Sequence, residues 1–239
     1  VFDRRDVARV LHRYVDDVQV FQNALAAVMA SPLLVELQAE RKTEEVKIEP
    51  ARYSTREMVD LEGRLADAAE RLSADASHRV ATRRVARAIE HQDHAIRKAV
   101  ASDCSGKVTR GEMTIAERDR RVARAGLSAE QRQAIEHVTG PRRIAAVVGF
   151  AGAGKSTMLA AAHEAWEAEG RRVFGAALAG KAAEGLEESA GIRSRTLASW
   201  ERRWAQEIDL LEKGDVLVVD EAGMVGSRQL AGFVEEVER

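Results

Sequence analysis

Cysteine occurs once in the 239 residues, at Cys104. A disulfide within the chain and a cysteine-built metal cluster are both excluded, which suits a reducing, cytoplasmic setting. Proline occurs three times, and Pro32, Pro50 and Pro141 each fall where the surrounding pattern changes, so each marks an element boundary. No apolar run exceeds strand length, so no membrane insertion is expected, and no signal-peptide pattern opens the chain. An excess of one charge is lacking too: 37 Lys and Arg meet 39 Asp and Glu, for a formal net charge of −2. A global pull toward nucleic acid is thereby excluded, and any DNA site must be a local patch. What is present, 45% hydrophobic and 32% charged residues, fits a soluble globular protein rich in surface-charged helix. The first residue is Val1 rather than Met, which is expected of a piece of a longer chain.

The strongest signal runs from Gly149 to Thr157, GFAGAGKST, and reads G-x-x-x-x-G-K-S. Before it, Ile144–Val148 is apolar and β-branched and predicts a buried strand. After it, Met158–Trp166 is helix-prone and ends at Gly170. Strand, glycine loop and helix form the context in which backbone N–H groups converge on phosphate. Gly149, Gly152, Ala153 and Gly154 would wrap the phosphates, Lys155 would meet the outer ones, and Ser156, followed by Thr157, would offer a hydroxyl to Mg²⁺. A second signal is Asp215–Val225, an apolar strand ending in Asp220-Glu221. There Asp220 would hold Mg²⁺, and Glu221 would orient and polarise an attacking water. Parallel strands bring both loops to one sheet edge.

The front half is quieter. Residues 1 to about 30 read as helical, with Asp6 as a capping candidate. Leu33–Gln38 and Val46–Glu49 read as a hairpin, so residues 1–53 suggest a small winged-helix-like unit. Ser54-Thr55-Arg56-Glu57 reads as a capping box that starts a helix with a single apolar stripe. A second helix carries Arg79, Arg83, Arg84 and Arg87, read as a solvated face over phosphate contacts. His91 and His94, with Asp93 between them, lack a further ligand of the right type for a metal site, and the two histidines read as ordinary surface residues. The resulting division is 1–53, a helical pair at 54–101, a polar linker with one short basic helix at 102–126, and a nucleotide-binding domain at 127–239.

Three further places stay open on residue chemistry alone. Gln131 is three residues after Ser128, so it either completes a capping box or reads an adenine edge. Gly180-Lys181, after the strand-like Arg172–Leu178, is either a tight turn with a solvent lysine or a seat for one backbone phosphate. Trp200 and Trp204 stand one helical turn apart and read as core rather than as a stacking platform for bases.

From Leu127 onward the motifs resemble the first motor domain of superfamily 1 helicases of the RecD-like branch. The carriers are LSxxQ at Leu127–Gln131, the glycine loop, AGKAA at Ala179–Ala183, RTL at Arg195–Leu197 and DEAGM at Asp220–Met224. The wording is closer still to the Ti-type conjugative transfer relaxase family (TraA), with RRDVARVLHRY and YSTREMVDLE as weaker carriers in the front half. The resemblance implies a RecA-like parallel sheet with flanking helices, preceded by a mainly helical domain with a small β-hairpin. It also implies ATP and Mg²⁺ as cofactors, adenine contact by Gln131, and single-stranded DNA contact by Gly180, Lys181, Arg195 and Thr196. The partners it implies are that DNA and the conjugative transfer machinery, and the activity is ATP-driven translocation. No His-x-His motif or convincing catalytic tyrosine is present, and the sequence stops shortly after Asp220-Glu221. The expectation is therefore ATP binding with weak or no hydrolysis, and no unwinding, by this length of chain alone. Two alternatives remain: a P-loop phosphotransferase, disfavoured by the Asp-Glu pair that suits water as acceptor, and a non-enzymatic DNA- or partner-binding scaffold.

Overall fold

The computed structural model describes residues 1–42, 48–150 and 152–238, and the chain divides into two compact units, Val1–Asp67 and Ala68–Arg239. In the first unit, helix α1 (Arg4–Leu11) is capped by Asp3, with Asp6 closing the box from the third position. Asp6, the residue expected as cap, instead returns its carboxylate to the Asp3 N–H. Helix α2 (Val18–Met29) follows, and its Phe21 stacks on His12 at 4.1 Å. Strand β1 (Leu34–Gln38) pairs antiparallel with β4 (Arg52–Thr55), and the shorter β2 (Arg41–Lys42) pairs with β3 (Ile48–Glu49). The expected hairpin is corrected in register: the partner of Leu34–Gln38 is Arg52–Thr55, while Ile48–Glu49 pairs with Arg41–Lys42. Val46 and Lys47, part of that expectation, lie outside the described residues. Helix α3 (Arg56–Ala74) starts on Thr55, whose Oγ1 accepts the Met58 N–H at 3.3 Å. Ser54 is buried in β4, so the cap is one residue later than the sequence pattern placed it.

The second unit is built on α4 (Thr82–Thr109), α5 (Ile115–Arg124), α6 (Ala129–Val138) and α7 (Lys155–Ala168). After these come β5 (Val173–Ala177), α8 (Gly180–Ala190), β6 (Arg193–Thr196), α9 (Leu197–Trp204), β7 (Val216–Val219) and α10 (Ser227–Glu238). Residues 102–126, read as a polar linker, hold the end of α4 and all of α5. A run of charge without an apolar rhythm proves compatible with helix because i,i+4 pairs such as Lys107–Asp103 and Arg121–Glu117 support it. The three strands are parallel in the order β6-β5-β7.

Period-2 alternation sorts the sheet's side chains into two layers. Val173, Val216 and Val218 join a core with Val85 and Ile89 of α4, Ile135 of α6, Met158, Ala161, Ala162, Ala165 and Trp166 of α7, and Leu186 of α8. Phe174, Ala176, Leu217 and Val219 face the other way, toward Leu197, Trp200 and Trp204 of α9 and Phe233 of α10. Helices thus cover both faces, as a parallel sheet requires.

Trp200 is core, as its spacing with Trp204 suggested. It is fully buried, donates from Nε1 to the Gly175 carbonyl at 2.9 Å, and meets Phe174 edge-on at 5.6 Å. Trp200→Phe keeps an aromatic ring but leaves that carbonyl without its donor, at a cost of about 1–3 kcal/mol. A matching fall in the urea midpoint is expected, with an unchanged denaturant slope.

One strand expectation fails. Ile144–Val148 forms no ladder in the structure, and Val148 is fully exposed. β-Branched residues favour a strand only where a neighbour supplies hydrogen bonds and packing. Here the ladder at β7 is made by β5 alone among the described residues. The segment is instead anchored at its start, where the Arg143 N–H meets the carbonyls of Leu72 and Asp75 and its Nη2 meets that of Val237 at 2.6 Å.

Candidate nucleotide-binding site

The glycine loop enters α7 through a left-handed turn. Gly154, the N-cap, has φ +73° and ψ +30°, and Gly152 has φ +79°. The left-handed φ requires glycine at 154, and a side chain there would also push the Gln131 amide out of its place. Lys155 opens α7 and folds back, its Nζ donating to the carbonyls of Gly149 at 2.8 Å and Phe150 at 3.1 Å. The ammonium therefore lies within the loop, where it would meet phosphate arriving at the helix start. Gly152, Ala153 and Ser156 are exposed, and Gly154 and Thr157 are half-buried. No side-chain cap occupies the first N–H groups of α7, which leaves them for an anion. These features fit a nucleoside triphosphate.

Gln131 does fill the structural role that its spacing allowed. Its backbone N–H donates to Ser128 Oγ at 3.1 Å and its Oε1 accepts from Ser128 N at 2.9 Å, a complete capping box. It does one thing more: Nε2 donates to the Gly154 carbonyl at 3.2 Å, tying α6 to the glycine loop. An amide oxygen has two lone pairs and an amide nitrogen two hydrogens, so one of each remains to face a base.

The strand end at Asp220 is set by the sheet. The Asp220 N–H donates to the Ala176 carbonyl at 2.9 Å, and its Oδ1 accepts the Glu221 N–H at 2.9 Å. Glu221 holds φ +52°, one of three non-glycine residues with positive φ among the described residues. Such a backbone costs on the order of 1 kcal/mol and concentrates at functional positions. A one-turn 3₁₀ helix at Ala222–Met224 follows. Asp220 and the Ser156 hydroxyl are hard oxygen donors of the kind Mg²⁺ takes beside phosphate and water.

Strand register brings the other motifs level. Ala176 stands opposite Val219 and Ala177 opposite Thr196, so Asp220, the turn into Gly180-Lys181, and Thr196 share the carboxyl edge of the sheet. Gly180 and Lys181 are exposed at the start of α8. Thr196 caps α9, its Oγ1 accepting from Ser199 N at 3.2 Å. Arg195 is turned inward: it lies over the Trp200 ring at 5.9 Å, reaches Asp209 at 3.8 Å, and its buried Nε has no hydrogen-bond partner. Asp209 is held below the ordinary carboxylate range, first by the Arg203 hydrogen bond at 2.7 Å.

The histidine group of α4 divides. His91 meets Glu164 of α7 at 2.7 Å, and His94 is exposed. Asp93, between them, is buried and accepts from Leu127 N at 2.8 Å and Arg132 Nη2 at 2.5 Å. Nothing in the sequence marked it, because its partners are 34 and 39 residues away. Of the α4 arginines, Arg84 pairs with Glu169 at 3.0 Å, in keeping with a solvated, paired face. At the opposite end of the sheet Arg172 grips Asp215 with two hydrogen bonds, and its pKa is raised chiefly by that contact.

Residues 126–239 match the family described as AAA domain. The chain is 48% identical over its whole length to the conjugal transfer protein TraA of Agrobacterium fabrum and spans 19% of that protein. It is 47% identical over 98% of its length to the probable conjugal transfer protein TraA of Sinorhizobium fredii, spanning 18% of it. A third protein of that name, from Rhizobium radiobacter, is 48% identical and is covered to 19%. The chain therefore spans about a fifth of the relatives it matches. No helix among the described residues is long and apolar enough to cross a membrane.

Proposed function

We propose that this chain, the counterpart of a stretch of conjugal transfer protein TraA with an AAA domain at residues 126–239, supplies the ATP-handling half of a DNA motor in plasmid transfer. The observation that carries the reading is the left-handed glycine entry into α7, with Lys155 at its first turn, in one unit with a parallel sheet whose β7 ends in Asp220-Glu221. The glycine loop and Lys155 hold the triphosphate, Ser156 and Asp220 hold Mg²⁺ beside it, and Gln131 reads adenine. Magnesium supplies charge neutralisation on the phosphates. Glu221 accepts the proton of the attacking water as the terminal phosphoryl group leaves ADP. Exposed Lys181 at the helix start beside Gly180, with Thr196 at the same sheet edge, forms a track for the backbone of single-stranded DNA, which Arg195 would join only by leaving Asp209. The longer protein acts in the cytoplasm as a relaxase-helicase, and this segment alone binds ATP without unwinding.

Titration of the 239-residue chain with a single-stranded oligonucleotide across a salt series tests the DNA part. Binding is expected to weaken linearly in log–log form as salt rises, and Lys181→Ala to flatten that slope by about 0.7. No binding at low salt, or a slope indifferent to Lys181, would contradict it.

A further inference from the structure

The turn that carries Gln131 is held by a carboxylate from a distant helix. Asp93 sits in the middle of α4 with 6% of its surface exposed. Its Oδ1 accepts the N–H of Leu127, immediately before the α6 cap Ser128, and its Oδ2 accepts Arg132, immediately after Gln131. One carboxylate thus brackets the first turn of α6 from both sides. Gly126 is part of the fit, because a Cβ there would stand 2.8 Å from Asp93 Oδ1. From the bracketed turn, the Gln131 amide receives the Ser128 N–H on its oxygen and donates from its nitrogen to Gly154. Asp93 of α4 thus holds the α6 turn, and Gln131 on that turn holds the glycine loop.

The orientation of that amide decides what it can read. A free glutamine can turn over, exchanging donor for acceptor, and would accept adenine or guanine alike. Here the oxygen is fixed by a donor at Ser128 and the nitrogen by an acceptor at Gly154, so turning over would place two like groups face to face at both ends. The fixed oxygen suits the amino group of adenine and opposes the carbonyl that guanine carries at the same place. We propose that Asp93 is a positioning residue for base selection: by holding Leu127 and Arg132 it fixes the Gln131 amide and so sets the preference for adenine over guanine. The proposal rests on the reading of Gln131 as the adenine contact. Asp93 is suited to the task as an anion. Burial alone would raise its pKa, but the Leu127 N–H and Arg132 outweigh that and hold it below the ordinary carboxylate range, so it stays charged at neutral pH.

The test measures affinities of the 239-residue chain for Mg·ATP, Mg·GTP and tripolyphosphate by displacement of a fluorescent nucleotide. Wild type, Gln131→Ala, Asp93→Asn and the double variant are compared, with Gly126→Ala as a second way to displace the carboxylate should Asp93→Asn fail to fold. The expected result is a fall in the ATP-over-GTP preference of about tenfold in each single variant, no further fall in the double, and unchanged tripolyphosphate affinity in Asp93→Asn and Gly126→Ala. If Gln131→Ala abolishes the preference while Asp93→Asn and Gly126→Ala keep it, Asp93 is only structural and the proposal fails, with the adenine reading intact. If Gln131→Ala leaves the preference unchanged, the adenine reading fails and takes the proposal with it. Equal loss of tripolyphosphate and ATP affinity in Asp93→Asn would also overturn it, since the phosphate loop rather than base selection would then be at fault.

Discussion

Mg·ATP affinity is expected to fall roughly 10- to 150-fold in Lys155→Ala, the equivalent of the 1.5–3 kcal/mol of a charge-assisted hydrogen bond. The Lys155 ammonium at present donates to two neutral carbonyls of its own loop, Gly149 and Phe150. Phosphate oxygens would replace those acceptors with charged ones, and such bonds are about twice as strong. The substitution is clean on the folding side. Position 155 is the first of α7, alanine is the best helix former, and the lysine side chain contributes no core contact. Lys155→Arg is expected to restore little, because a planar guanidinium cannot place its charge where a compact ammonium fits. Displacement of a fluorescent nucleotide reads both. An unchanged melting temperature in Lys155→Ala would show that the loss belongs to the site.

Phosphate release is expected to fall about 10²- to 10⁴-fold in Glu221→Gln while nucleotide affinity holds, the signature of a lost general base. The comparison is made in this chain or in a longer chain that carries it. Glutamine keeps the size of the side chain and can still contact water, but it cannot accept the proton. The positive φ of Glu221 sharpens the expectation. The backbone there is held in an unfavourable region by the Asp220 carboxylate, which accepts the Glu221 N–H, and by the turn that closes on Met224. Glu221→Gly would relieve that strain and remove the carboxylate together. It is therefore expected to raise stability slightly while releasing no more phosphate than Glu221→Gln.

The nucleotide half was legible because its chemistry is local in sequence. A helix after the glycine loop, a cap at Ser128 and a strand running up to Asp220 each depend on neighbours within a few residues, and each is where the pattern placed it. The failures are long-range. Ile144–Val148 has the composition of a strand, but composition cannot supply the ladder partner a strand needs. The partner of Leu34–Gln38 is Arg52–Thr55 rather than Val46–Glu49, because alternation tells which residues share a face and not which segment lies opposite. Asp93 looked like one more polar residue between two histidines, and only the fold brings Leu127 and Arg132 to it. Arg195 and Thr196 were read for DNA by resemblance. The fold gives each an internal task, at Asp209 and Trp200 for the arginine and at the α9 cap for the threonine. A DNA contact at those two positions therefore competes with bonds already made, whereas exposed Lys181 has none to give up among the bonds and ion pairs described.

The central claim, that the loop from Gly149 to Thr157 holds the triphosphate of ATP, is tested most directly by calorimetric titration of Mg·ATP into the wild-type chain and into Lys155→Ala. Saturable one-site binding in the wild type, competed by tripolyphosphate and weakened at least tenfold in the variant, is the predicted result. No saturable binding in the wild type, or equal affinity in the two proteins, would contradict it.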